Sequence, residues 1–138
     1  MRFPNGSVIT PDGRTMIVAE SMARRLSAFD VAADGALSNQ RVWAGTGSHI
    51  PDGICLDDEG AVWVADAGGP HCVRIREGGE VLEVVVTDQR CFACMLGGED
   101  GRTLFMITAA YSLATEASTR RSGKILTTRV AVGHAGRP

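Results

Sequence analysis

Hydrophobic and polar residues alternate along this chain in short runs that end at glycine-bearing turns. Val73-Arg74-Ile75-Arg76 carries the period-two pattern of a strand wetted on one side. Ser7-Val8-Ile9-Thr10 meets Pro11-Asp12-Gly13 and returns as Met16-Ile17-Val18, and Ile54-Cys55-Leu56 meets Asp58-Glu59-Gly60 and returns as Val62-Trp63-Val64. Each is a β-hairpin signature, with glycine supplying the positive φ that the turn requires. Two more hairpins are predicted. Arg25 to Val31 turns at Ala33-Asp34-Gly35-Ala36 into Gln40 to Trp43, and Cys72 to Arg76 turns at Glu77-Gly78-Gly79-Glu80 into Val81 to Val86. A further strand is predicted over Lys124 to Val130. Helical periodicity is absent, and Tyr111 to Thr119 reads as a loop.

The hairpins repeat. Phe3 to Glu20, Ile50 to Asp66 and a segment from Cys91 to Thr108 align, with Gly13 and Gly60 47 residues apart and Gly60 and Gly101 41 apart. One four-stranded propeller blade has about that length, 40–45 residues in the best-known repeat. The chain is therefore expected to be all-β and a partial β-propeller of about three blades, over residues 1–46, 47–88 and 89–138. Closed propellers have roughly four to eight blades, so three cannot close a ring. A small free-standing β-sandwich fits less well, because sandwiches do not repeat one hairpin at blade spacing.

Composition sets bounds on partners. Fourteen Lys and Arg against sixteen Asp and Glu give a net charge of −2, which offers no basic face for nucleic acid. No apolar run has the length of a membrane span, and the first residues lack the apolar core of a signal peptide, so a cytoplasmic setting is expected. Cys91-Phe92-Ala93-Cys94 has zinc or redox spacing, but no second such pair exists. Residues three apart on a regular strand point to opposite faces, so Cys55, Cys72, Cys91 and Cys94 are read as buried, reduced thiols.

Candidate chemistry lies where the repeats differ. Asn5 aligns with Asp52 and Ala93, and Pro-Asn-Gly and Pro-Asp-Gly place an oxygen-bearing side chain just before the innermost strand of a blade, where equivalent positions converge on the channel. An amide oxygen and a carboxylate are hard donors suited to Ca²⁺, Mg²⁺ or Mn²⁺, although Pro-Asn-Gly and Pro-Asp-Gly also serve as plain turns. Gly45-Thr46-Gly47-Ser48-His49 lacks the Gly-Lys-Ser/Thr of a phosphate loop, and Ser48 with His49 lacks a third partner for nucleophilic catalysis. His71 and His134 stand alone in the sequence and are read as structural. Glu20 and Asp66 are read as solvated strand ends.

The blocks Phe3-Pro4-Asn5-Gly6, Ile9-Thr10-Pro11-Asp12-Gly13-Arg14-Thr15, Val18-Ala19-Glu20-Ser21 and Pro51-Asp52-Gly53-Ile54-Cys55-Leu56-Asp57, with Gly60 to Ala65, resemble the gluconolactonase/regucalcin/luciferin-regenerating family. Cys94-Met95-Leu96-Gly97-Gly98 before Thr103-Leu104-Phe105 is similar to the following blade of bacterial members. The resemblance implies a six-bladed propeller of which this chain is the C-terminal half. It also implies one divalent cation at the channel mouth, Ca²⁺ foremost with Zn²⁺, Mn²⁺ or Mg²⁺ as alternatives. Asn5 and Asp52 map onto two of the four protein ligands, and Asp52 onto the catalytic base that activates water. The remaining Glu and Asn ligands belong to blades upstream, so Met1 reads as an internal start or truncated frame. A sugar lactone is the implied substrate, and a non-catalytic calcium-binding propeller the alternative. Uncovered outer blade faces are expected to promote self-association.

Overall fold

A computed structural model describes residues 1–110 and 121–136; the loop expected over 111–119 lies outside them. Three antiparallel sheets follow one another along the chain. β1 (Pro4–Ile9), β2 (Thr15–Glu20), β3 (Arg25–Val31) and β4 (Leu37–Gly45) form the first, with a 3₁₀ turn at Ser21–Ala23. β5 (Pro51–Leu56), β6 (Val62–Asp66), β7 (His71–Ile75) and β8 (Val81–Val86) form the second. β9 (Arg90–Gly97), β10 (Thr103–Ala109) and β11 (Lys124–Arg129) form the third, in spatial order β11-β10-β9. Each sheet is a meander in which neighbours in sequence pair, because five-residue turns at Gly13, Gly35, Gly60 and Gly78 reverse the chain at positive φ. These are blades of a β-propeller, stacked face to face.

The core is divided between the two blade interfaces. Val8, Ile17, Leu26 and Trp43 of the first sheet pack on Ile54, Val62, Val64, Val73 and Ile75 of the second. Cys55, Trp63 and Cys72 on the other face of the second sheet pack on Cys91, Cys94, Leu96, Leu104 and Met106 of the third. The middle sheet is thus covered on both faces and its strands are almost continuously apolar, as in Val62-Trp63-Val64-Ala65. The far faces of the outer sheets leave Ile9, Val42, Met95, Ile107 and Ile125 exposed.

Innermost strands β1, β5 and β9 lie side by side, β5 in contact with both others. The same bulge interrupts each at its first residues: Pro4 pairs with Glu20 but Ser7 with Val18, Pro51 with Asp66 but Ile54 with Val64, and Cys91 with Thr108 but Ala93 with Ile107. Pairing therefore equates Asn5 and Asp52 with Phe92, and Gly6 and Gly53 with Ala93. This corrects the sequence alignment by one residue. The turn glycine was one position off as a ruler because Leu96 to Gly101 is five steps where Leu56 to Gly60 is four.

The bulge also overturns the expected divergence of Cys91 and Cys94. With Phe92 as an extra residue, both thiols face the second blade and join Cys55 and Cys72 in one cluster, with Cys55 Sγ 3.9 Å from Cys94 Sγ. All four are free and buried. After β11 the chain turns back beneath the inner strands, where Ala135 N donates to Leu56 O, His134 N to Gly101 O, and Asp58 N to Gly133 O.

Candidate functional site

Asn5 and Asp52 occupy equivalent bulge positions on adjacent innermost strands. The glycine after each is required by the packing of blade on blade. A Cβ on Gly6 would meet Asp52 O at 2.6 Å and Ile54 N at 2.7 Å, and one on Gly53 would meet Ala93 Cα at 2.7 Å. Only a bare α-carbon allows this approach, and it brings the residue preceding each glycine to the mouth of the wall formed by β1, β5 and β9.

Ser21 ties the pair together. It is buried at the end of β2, donates from Oγ to Pro51 O at 2.6 Å, and accepts from Asn5 Nδ2 at 3.5 Å. One hydroxyl thus links the Asn5 side chain to the backbone just before Asp52. The Asp52 carboxyl is partly buried, and that burial lifts its pKa above the ordinary carboxylate value, offset in part by hydrogen bonding from Asn5. A positive charge delivered between the two side chains would stabilise the carboxylate.

Glu20 and Asp66, read from the sequence as solvated strand ends, are buried. Burial raises the Glu20 pKa, but hydrogen bonds from Ser27 Oγ at 2.5 Å, Arg2 N at 2.5 Å and Arg25 Nε at 2.9 Å outweigh it and hold the carboxyl at about 2. Asp66 occupies the same place in the second blade. Its Oδ1 accepts from Ile50 N at 2.9 Å and Gly68 N at 2.8 Å, and its Oδ2 lies 2.7 Å from His49 Nδ1. Burial raises the Asp66 pKa, and these contacts more than reverse it. In both blades a buried acid fastens the linker that enters the innermost strand.

These acids belong to a socket repeated in each blade. Glu20 pairs across the strands with Arg25, Asp66 with His71, and Thr108 with Lys124. The linker position gives Arg2, His49 and Gln89 in turn, and Gln89 Nε2 donates to Thr108 Oγ1 at 3.2 Å. His49 and His71, isolated in sequence, therefore meet at one carboxylate. The signal that could have found them is the blade offset of 47 residues, which places His49 on Arg2. His134 instead lies in the returning tail, packed against Gly101.

Three stacked, four-stranded or near-complete blades, with Asn5 and Asp52 at equivalent places on adjacent innermost strands, define a β-propeller. The SMP-30/Gluconolactonase/LRE-like region matches residues 1–110, and the chain belongs to this family. It is 32% identical over 122 residues to regucalcin of Danio rerio, covering 85% of this chain and 41% of that protein. It is 27% identical over 140 residues to 6-deoxy-6-sulfogluconolactonase of Pseudomonas putida, covering 97% of this chain and 48% of the relative. Among solved structures it resembles a luciferin-regenerating enzyme with a TM-score of 0.81 and 25% identity, covering 95% of this chain and 46% of the other. The chain thus spans less than half the length of these relatives.

Proposed function

We propose that these blades belong to a six-bladed ring that hydrolyses a sugar lactone with one divalent cation at its channel mouth. The observation that carries this reading is the convergence of Asn5 and Asp52 through Ser21 and the close approach at Gly6. Relatives named as lactonases support it, among them the Pseudomonas putida protein and a gluconolactonase of Xanthomonas campestris, the latter 27% identical.

The donor set fits a hard cation. Asn5 hydrogen-bonds through its amide nitrogen, which leaves its carbonyl oxygen as a neutral donor, and Asp52 contributes a partly buried carboxylate. Asn5 and Asp52 would hold the ion together with ligands from the other blades. Calcium suits such oxygen donors best, with magnesium, manganese or zinc as alternatives. Bound there, the ion supplies Lewis-acid polarisation of a lactone carbonyl. Asp52 acts as the base: a carboxylate oxygen accepts the proton of the attacking water, and Ser21 with Gly6 fixes the backbone that carries this side chain.

A calcium-binding role without catalysis is the second reading, favoured by the relatives named regucalcin and by a structural neighbour described as a calcium-binding protein. Aldonolactone hydrolysis by the complete ring separates the two. Turnover that Asp52→Ala abolishes, together with weakened cation binding, establishes the lactonase. Cation binding that depends on Asp52 without turnover establishes the second reading, and activity unchanged by Asp52→Ala refutes both roles for this residue.

A further inference from the structure

The structure assigns a second metal site, distinct in residues from Asn5 and Asp52, to His49, Asp66 and His71 at the end of the second blade. The site takes a late first-row divalent ion, zinc foremost. Each side chain offers one ligand atom, and the three atoms lie within 4.8 Å of one another. His49 Nδ1 is 2.7 Å and His71 Nδ1 3.5 Å from the same oxygen, Asp66 Oδ2. In a tetrahedral site with bonds of about 2.0–2.2 Å, neighbouring ligand atoms stand about 3.3 Å apart. The two separations from Asp66 Oδ2, 2.7 and 3.5 Å, bracket that value, and water or a ligand would complete the shell.

Three features separate this cluster from a plain hydrogen-bonded latch. First, His71 Nδ1 is buried and makes no hydrogen bond, although it lies beside a carboxylate. A buried nitrogen without a partner is costly, and a metal–nitrogen bond is a partner of the kind that imidazole forms most readily. Second, the carboxylate is already oriented. Ile50 N and Gly68 N both engage Asp66 Oδ1, which turns Oδ2 toward the two imidazoles as outer-sphere hydrogen bonds do in built metal sites. Third, the ligand atoms pack directly against a bare α-carbon. A Cβ on Gly69 would stand 2.9 Å from His71 Nδ1 and 3.1 Å from Asp66 Oδ2.

The first blade fills the same place with a different partner. There the equivalent acid, Glu20, faces the permanently charged Arg25 across the strand pair, with Arg25 Nη2 2.9 Å from Oε1. In the second blade that facing position is His71, an imidazole in place of a guanidinium. A bound dication supplies the charge that Arg25 supplies next door. Two nitrogens and one carboxylate oxygen favour zinc, copper, nickel or cobalt over calcium or magnesium, which take oxygen shells.

Titration of EDTA-stripped full chain with zinc chloride, followed by calorimetry, tests the assignment without reference to catalysis. The expected result is one zinc per chain, with affinity reduced at least about tenfold in His49→Gln, His71→Asn and Gly69→Ala. Gly69→Ala removes no ligand and only displaces the ligand atoms it would crowd, and circular dichroism of each variant reports whether the blades still form. Repeating the titration in excess calcium chloride, which occupies the oxygen donors of Asn5 and Asp52, is expected to leave the zinc affinity unchanged, so this site and the proposed lactonase site fail separately. Cobalt in place of zinc should give visible bands of a low-coordinate nitrogen–oxygen site. Absence of zinc binding, undiminished binding in folded His71→Asn and Gly69→Ala, or a thiolate-to-cobalt band from the cysteine cluster overturns the assignment.

Discussion

A Cβ added to Gly6 would stand 2.6 Å from the carbonyl oxygen of Asp52, closer than real side chains approach a backbone. Neither partner can yield cheaply, since both atoms lie in strands fixed by their own ladders. Gly6→Ala should therefore wedge the first two blades apart at the rim, costing about 1–3 kcal/mol, the usual range for overpacking. Urea denaturation measures the loss. A midpoint equal to that of the unaltered chain would show that the blades do not meet as closely as described.

Glu20 should make stability depend on acid pH. Its carboxyl titrates at about 2 in the folded chain against an ordinary value of 4.5, so the unfolded state binds the proton first. The associated stabilisation, on the order of 3 kcal/mol, is fully present above pH 4.5 and is lost as pH falls from there toward 2. Unfolding free energies measured at pH 7, 4 and 3 should fall in that order. In Glu20→Gln the chain should be less stable at neutral pH and the acid slope shallower; an unchanged slope would assign the acid sensitivity to other carboxyls.

The four thiols should be silent until the chain unfolds. Burial between the second and third blades shields them, and mutual contacts among Cys55, Cys72, Cys91 and Cys94 push the first two well above the ordinary thiol pKa. A thiol reagent at neutral pH should find almost none in the native chain and all four in denaturant without reductant. A disulfide between Cys91 and Cys94 in freshly purified protein contradicts this.

Copies of this chain should associate. Met95, Ile107 and Ile125, 42%, 50% and 69% exposed, share the outer face of the third blade, and Ile9 and Val42 stand exposed on the far face of the first. Apolar area of that kind is covered by a neighbouring blade in a ring. Sedimentation should detect dimers or larger species, and Ile107→Glu with Ile125→Lys should shift them toward 14.6 kDa. A monodisperse monomer over the whole concentration range would count against uncovered faces as the cause.

Legibility in the sequence followed the range of each interaction. Hairpins could be read because a turn glycine and a two-residue alternation sit within a dozen positions, as at Val8 to Val18. The bulge at Phe92 could not, since it is set by which residues of β10 lie opposite, and missing it misplaced both Ala93 and the direction of Cys91. Asn5 and Asp52 were legible as a candidate pair, whereas Ser21, though part of the Val18-Ala19-Glu20-Ser21 block, shows its link between them only through the contact of β2's end with Pro51. Glu20 and Asp66 look like any charged strand end until the linker folds over them. His71 is 22 positions from His49 along the chain, and it takes the pairing of Asp66 with both Pro51 and His71 to bring the two imidazoles to one carboxylate.

The socket described in all three blades has a consequence for how such a ring can diversify. Arg2–Glu20–Arg25, His49–Asp66–His71 and Gln89–Thr108–Lys124 occupy one backbone frame with three different chemistries. The frame is held by strand pairing and by the glycines between blades, not by the identity of the three side chains. One copy can therefore exchange an ionic lock for an imidazole pair or a neutral hydrogen bond while its neighbours keep the architecture. Repetition gives the ring spare positions at which new chemistry can be tried without moving the wall that carries the old.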